Sequence, residues 1–179
     1  MIKTLLAILL IAIAAVLVLA ARKPAAFRVE RSLDIQAASQ KIFPLVDDLQ
    51  QWRSWSPYED KDPAMQRSFS GPARGVGAAY AWSGNREVGA GRMEITTSIP
   101  DRHIVMRLDF LKPFKATNTA EFTFTPDNGG TRVTWAMSGE ASLLCRVIGL
   151  FIDMDKMIGK DFEAGLKRLK AVAERPAGS

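Results

Sequence analysis

The chain holds one cysteine and one histidine among 179 residues. A lone Cys145 excludes an internal disulfide, so cysteine usage demands no oxidising compartment. One thiol and one imidazole make no cluster at zinc- or iron-ligand spacing. The glycine-rich stretch from Gly71 to Gly77 lacks the following Lys-Ser/Thr of a phosphate loop and opens no helix. Internal repeats and low-complexity tracts are missing too. Charge of one sign is scarce: the net charge is +5, and without Lys3, Arg22 and Lys23 the remainder carries 21 basic against 19 acidic groups. No basic stripe for nucleic acid emerges from that balance. Metal chemistry, nucleotide chemistry and nucleic-acid binding all lose support, and no cofactor is expected.

What the chain does have is a long apolar run. Leu5 to Ala21 are seventeen consecutive apolar residues. As a helix they rise roughly 25 Å, the short end of a membrane span, and Ile2 and Thr4 extend them. Lys3 precedes the run and Arg22-Lys23 follow it. Two readings stay open: an uncleaved single-pass membrane anchor, and a secretory signal cleaved after Val18-Leu19-Ala20. Run length and basic flanks favour the anchor. The side of the membrane stays open. Arg22, Lys23, Arg28 and Arg31 against Lys3 favour a cytoplasmic domain, whereas a short N-terminus with one lysine suits the reverse. The juxtamembrane cations would meet anionic headgroups.

After a short linker at 24–26, Phe27, Val29, Leu33 and Ile35 alternate with polar residues, the pattern of a half-buried strand, with Arg31 in the apolar phase. Ile42, Phe43, Leu45, Val46 and Leu49 then follow helical spacing, with Ser39 as N-cap and Pro44 in the first turns. Asp48 to Tyr58, "DLQQWRSWSPY", reads as a second short helix stopped near Pro57, with Trp52 and Trp55 on it. From Ala64 the chain alternates at period two between breakers, predicting six hairpin-connected strands. Their apolar phases hold Val76, Ala78, Tyr80 and Trp82; Met93, Ile95 and Thr97; Ile104, Met106, Leu108 and Phe110; Ala120, Phe122 and Phe124; and Val133, Trp135 and Met137. Asp127-Asn128-Gly129-Gly130 is a hairpin signal. Val147, Ile148, Phe151, Met154, Ile158, Phe162, Leu166 and Leu169 recur at three- and four-residue steps, predicting one helix from about Ala141 to Ala173. Gly149, Gly159 and Gly165 interrupt it at about 1 kcal/mol of helix propensity each.

An antiparallel sheet with one apolar face needs a cover, and the long helix is the element large enough to cross it. Methionines and glycines on the facing positions pack loosely and leave gaps. A cavity between sheet and helix is therefore expected. Its predicted lining is Trp55, Tyr80, Trp82, Met93, Ile95, Met106, Leu108, Phe110, Asn118, Phe122, Trp135, Phe151 and Ile158. Arg31, Tyr80 and Asn118 are the polar groups in apolar phase, the kind that fixes a ligand's orientation. Bulging or snorkelling at Arg31, a wet strand end at Asn118 and a rim hydroxyl at Tyr80 are the plainer alternatives. His103 lies in the outward phase of its strand, which argues for a surface imidazole over a general base. Asp161 and Glu163 are expected in solvent. Trp52 and Trp55 are read either as plain core rings or with one of them, Trp55, also lining the cavity mouth, and Trp52 is expected deeper than Trp55.

Several of these stretches carry a resemblance: "LDIQAASQKIFPLVDDLQQWRSWSPY", "GVGAAYAWSGN", "VGAGRMEI", "GGTRVTW" and "DFEAGLKRLK". From about Phe27 to Ala173 the chain resembles the SRPBCC superfamily (START-like, Bet v 1-like), in its polyketide cyclase/dehydrase and lipid transport branch. The resemblance implies an α+β helix-grip fold, a curved antiparallel sheet of about seven strands wrapped around a long C-terminal helix. The expected organisation is an anchor over 1–23, a linker over 24–26, the helix-grip domain over 27–174 and a tail over 175–179. The implied function is a membrane-anchored binding or transfer module for a lipid, isoprenoid or quinone-like molecule. Two alternatives stay open: a protein-interaction module resembling Hsp90 ATPase activators, and a polyketide or aromatic cyclase. No catalytic constellation supports the last, so a non-enzyme is favoured.

Overall fold

A computed structural model describes residues 1–176; of the tail expected over 175–179, residues 177–179 lie outside the described residues. Helix α1 (Ile2–Arg22) comes first, followed by strand β1 (Ala26–Ile35), helix α2 (Ser39–Asp47), a 3-10 turn (Gln51–Ser54) and helix α3 (Tyr58–Lys61). Strands β2 (Gln66–Ser70), β3 (Ala79–Ser83), β4 (Ala90–Ile99), β5 (His103–Lys112), β6 (Ala116–Asp127) and β7 (Gly130–Glu140) follow. Helices α4 (Leu143–Ile148) and α5 (Met154–Ala173) close the chain. One seven-stranded antiparallel sheet runs β1-β7-β6-β5-β4-β3-β2, so the first strand closes beside the last. This is the α+β helix-grip architecture, with α5 laid along β1.

The hairpin signal forms as its residues require. Asp127 pairs with Gly130, and Asn128 and Gly129 both adopt positive φ, the two-residue turn that Asn-Gly favours. The alternation in β4 breaks after Ile95. A register shift lets Thr97 pair with Val105, so Thr96 is extra and the apolar phase slips by one. Thr97 thus leaves the core face, and Ser98 turns in to donate to Asp47 Oδ1 at 2.7 Å. Val76, expected in β3, precedes that strand and is exposed.

Three helical expectations change. Ser39 is the first helical residue rather than the cap, which falls on Ala38 without a side-chain bond, and Pro44 sits inside α2. The second short helix is a 3-10 turn, and a third begins after Pro57 instead of the chain stopping there. The long C-terminal helix is two helices. Gly149 ends α4, and Asp153 starts α5 by accepting a bond from the Lys156 N–H at 3.0 Å. The apolar repeat runs on across this break, so periodicity alone could not reveal it. The cap could have: an aspartate three residues before a free N–H is a start signal.

The sheet's concave face is arranged in rows. Arg31, Trp135, Phe122 and Ile104 form one row, and Val29, Met137, Ala120, Met106 and Ile95 the next. Phe27, Gly139, Asn118, Leu108, Met93 and Tyr80 form a third. A last, short row holds Phe110, Gly91 and Trp82.

Candidate functional site: the open end of the grip

Helix α5 is positioned by Arg31. Its guanidinium bonds Asp155 at 2.9 Å and Glu163 at 3.0 Å and also donates to the Glu30 carbonyl. Strand β1 pairs with β7 without a register shift, so no bulge explains this inward arginine. Its place is made by Gly159, where a Cβ would collide with the guanidinium. Glu163 stands in solvent as expected and from there holds Arg31, whereas Asp161 is half-buried and holds Lys61 at 2.7 Å.

The helix covers only part of the concave face. It starts over Arg31 and runs toward Gln36, whose N–H donates to Glu174. Met154 precedes Gly159 by about 7.5 Å of helix, roughly two residues of strand. The row of Val29 is therefore the last under α5. The Phe27 row and the short row lie past its start.

Under the helix the interior is filled. Trp135 stacks on Phe162 with centroids 4.1 Å apart, and Phe122 stacks on Trp135 at 5.0 Å. Trp52 and Trp55 both meet Phe122 and Trp135 edge-on. Their indole N–H groups donate to Val46 and Leu45 carbonyls at 3.0 and 2.8 Å. Trp55 is 1% exposed and Trp52 6%, which reverses the expected order of depth and takes Trp55 away from any mouth. Ile95, Met106, Phe122 and Trp135 are likewise core. Phe151 is the outlier of the predicted lining. It lies between α4 and α5 and is 76% exposed, because the break at residues 149–153 turns it away from the sheet.

Past the helix start the sheet face is mixed: Met93 and Tyr80 stay buried. Leu108, Phe110 and Trp82 are half-buried, as are Phe27 and, at the first turns of α5, Ile158. The Trp82 ring lies over Gly91, where a Cβ would strike it, and meets Phe110 edge-on at 6.0 Å. Its N–H is satisfied by the Val88 carbonyl at 2.9 Å, so the ring offers only apolar surface. Asn118 sits in the middle of this end, opposite Leu108 on β5 and Gly139 on β7. It is 7% exposed, and its Oδ1 is buried without a partner. That oxygen occupies the space a Cβ at residue 139 would take. An unpaired buried carbonyl of this kind costs about 1–3 kcal/mol, so the fold carries it at a loss unless something donates to it.

At the outer edge of the same row, Tyr80 donates to Glu59 at 3.3 Å, and Glu59 pairs with Arg67 at 2.6 Å. Burial, then the Glu59 carboxylate, push the Tyr80 phenol up, and it stays neutral. This cluster was not foreseen; Arg67 lies on β2, whose pattern carries little apolar signal. His103 faces outward from β5, half-buried, as its phase required. Two clefts of about 290 and 300 Å³ open elsewhere, one bordered by Leu49, Phe69 and Gly71, the other by Phe43, Asp47 and Arg74. None of the residues predicted to line a cavity borders either.

A family model described as polyketide cyclase/dehydrase and lipid transport matches residues 26–174. The chain belongs to this family. Similar solved structures share its fold at low identity. Protein CV1439 from Chromobacterium violaceum is 13% identical, with a TM-score of 0.60, over 86% of this chain and 100% of that one. The Aha1 dimer protein from Colwellia psychrerythraea is 17% identical, TM-score 0.60, over 85% and 99%. The di-domain ARO/CYC protein BexL from the BE-7585A biosynthetic pathway is 15% identical, TM-score 0.64, over 89% of this chain and 53% of that one. No curated protein matches the chain. Residues 1–25 lie outside the matched region, and they include the whole of α1, a helix long and apolar enough to cross a membrane.

Proposed function

We propose that this member of the polyketide cyclase/dehydrase and lipid transport family is a membrane-tethered binding module for a hydrophobic small molecule. Helix α1 is the tether. The binding place is the open end of the grip, between Trp82, Leu108, Phe110 and Ile158, with Phe27 at its side. The observation that carries the reading is the unpaired, buried Oδ1 of Asn118 among those half-buried apolar side chains. A few polar groups in an apolar recess orient a ligand. Here the group is an acceptor, so the ligand is apolar with one hydroxyl or N–H donor. Leu108 moves aside to admit it. The packed rings under α5 form the rigid floor.

Native mass spectrometry of the full chain released from detergent tests this. The expected result is a bound lipid-soluble mass on the native protein. Leu108→Arg loses it, because a charge there is costly to bury; Leu108→Ala keeps it and controls for folding. A native protein that carries no such mass, and takes up no long-chain alcohol when offered, contradicts the reading.

A further inference from the structure

Large exposed apolar side chains are concentrated at one end of the molecule. Leu143 and Leu144 on α4, Phe151 and Ile152 after it, and Leu111 and Phe114 at the β5–β6 hairpin are each 43–76% exposed. The flanking Met154 and Met157 on α5 are exposed as well. Outside these, Met1 and α1, the exposed large apolar residues among the described residues are Phe69, Val76 and Ile99. Scattered single residues need no explanation, but a contiguous set does.

The sheet register brings this set to one end. Ala26 pairs with Glu140, so the start of β1 and the end of β7 coincide, and Phe110 pairs with Ala116 just before the β5–β6 hairpin. Helix α1 leaves from the same end. Its last turn packs on α4: Ala20 is fully buried, Arg146 donates to the Ala21 and Lys23 carbonyls at 3.3 Å, and Lys23 Nζ donates to the Gly149 carbonyl at 2.5 Å. The patch therefore continues the apolar surface of α1. Cations stand around it: Arg22, Lys23, Lys112, Lys115 and Lys156 are all exposed. Two of the acids nearby are already engaged, Asp153 as the α5 cap and Asp155 with Arg31.

We infer that this end of the domain lies on the surface of the bilayer that α1 enters, with α4, the segment to α5 and the β5–β6 hairpin in the interface. The occupant of the patch is a bilayer with anionic headgroups. Apolar side chains sit at the acyl boundary while lysines and arginines reach the headgroups. Asn118, Leu108 and Phe110 lie toward this same end, so the ligand of the proposed function enters from the bilayer without crossing water. The inference rests on α1 being inserted, and the test separates the two.

Full-length single-cysteine variants in a Cys145→Ser background carry one environment-sensitive dye, at Phe151→Cys, Phe114→Cys, Leu9→Cys or Asn128→Cys. Each is reconstituted in phosphatidylcholine–phosphatidylglycerol vesicles with and without nitroxide-labelled lipid. Asn128 is at the far end of the sheet and reports the dye's own affinity for lipid. Dyes at positions 151 and 114 are expected to be quenched several-fold more than at 128, alongside strong quenching at position 9. Quenching at 9 with 151 and 114 no different from 128 overturns the docked rim and leaves the anchor standing. No quenching at 9 overturns both.

Discussion

Trp135 and Phe162 lie face to face, ring centroids 4.1 Å apart and planes 9° apart. This stack joins the sheet to α5 and fills the space that its sequence pattern led one to expect as a cavity. Phe162 is 2% exposed, whereas Phe151, one of the same helical repeat in sequence, is 76% exposed. Phe162→Ala is expected to cost about 3–5 kcal/mol, and Phe151→Ala to stay within about 0.5 kcal/mol. Denaturant titration in detergent checks the pair; similar losses for both contradict the placement of the helix break.

Trp52 and Trp55 share one role. Both are buried, both donate to carbonyls of α2 and both touch Phe122 and Trp135. Truncation of either to alanine is expected to cost about 3–5 kcal/mol, with Trp55→Ala at least as damaging as Trp52→Ala. A mild Trp55→Ala variant with altered ligand release would restore the gating role that its position before Pro57 first invited.

Gly159 exists for Arg31. Alanine is the better helix former by about 1 kcal/mol, yet its Cβ displaces the guanidinium from Asp155 and Glu163. In an Arg31→Ala background, Gly159→Ala is expected to stabilise by about 1 kcal/mol. With Arg31 present, the gain falls by at least about 0.5 kcal/mol or changes sign, the coupling expected of contacting residues. Equal gains in both backgrounds would show that the contact carries no energy.

Asp109 supplies a pH signature. The Thr117 hydroxyl, donating at 2.7 Å, and then Arg107 hold its carboxyl below the usual range. A depressed folded pKa contributes stability that is present above the unfolded value of about 3.9 and is lost as pH falls through the folded pKa. Thr117→Val is expected to raise the Asp109 pKa and to move the acid unfolding midpoint upward. Carboxyl titration by NMR reads the first effect directly; an unmoved Asp109 contradicts the assignment.

Much of the fold was legible because alternation survives in sequence. Six of the strands and the inward rows of β5, β6 and β7 follow from period two, the Asn128-Gly129 turn follows from its residue types, and β2 was placed with little apolar signal. What stayed hidden were features that periodicity does not encode. The Thr96 bulge adds a residue without changing composition. The break at residues 149–153 leaves the apolar spacing intact. Arg31 and Gly159 are readable only as a pair, since neither the inward charge nor the helix glycine makes sense alone. For the candidate site, Tyr80, Trp82, Met93, Leu108, Phe110 and Asn118 were brought together by phase. Which part of the concave face α5 covers was not legible, because that depends on where the helix starts.

The central claim is that a hydrophobic ligand sits at the open end, against Asn118. Photo-crosslinking of the full chain with a long-chain alcohol bearing a diazirine, followed by peptide mapping, tests it most directly. Adducts are predicted on Trp82, Leu108, Phe110 or Ile158, lost with Leu108→Arg and weakened with Asn118→Leu, which removes the acceptor without loss of stability. Adducts confined to α1, or the same adducts in every variant, would contradict the account.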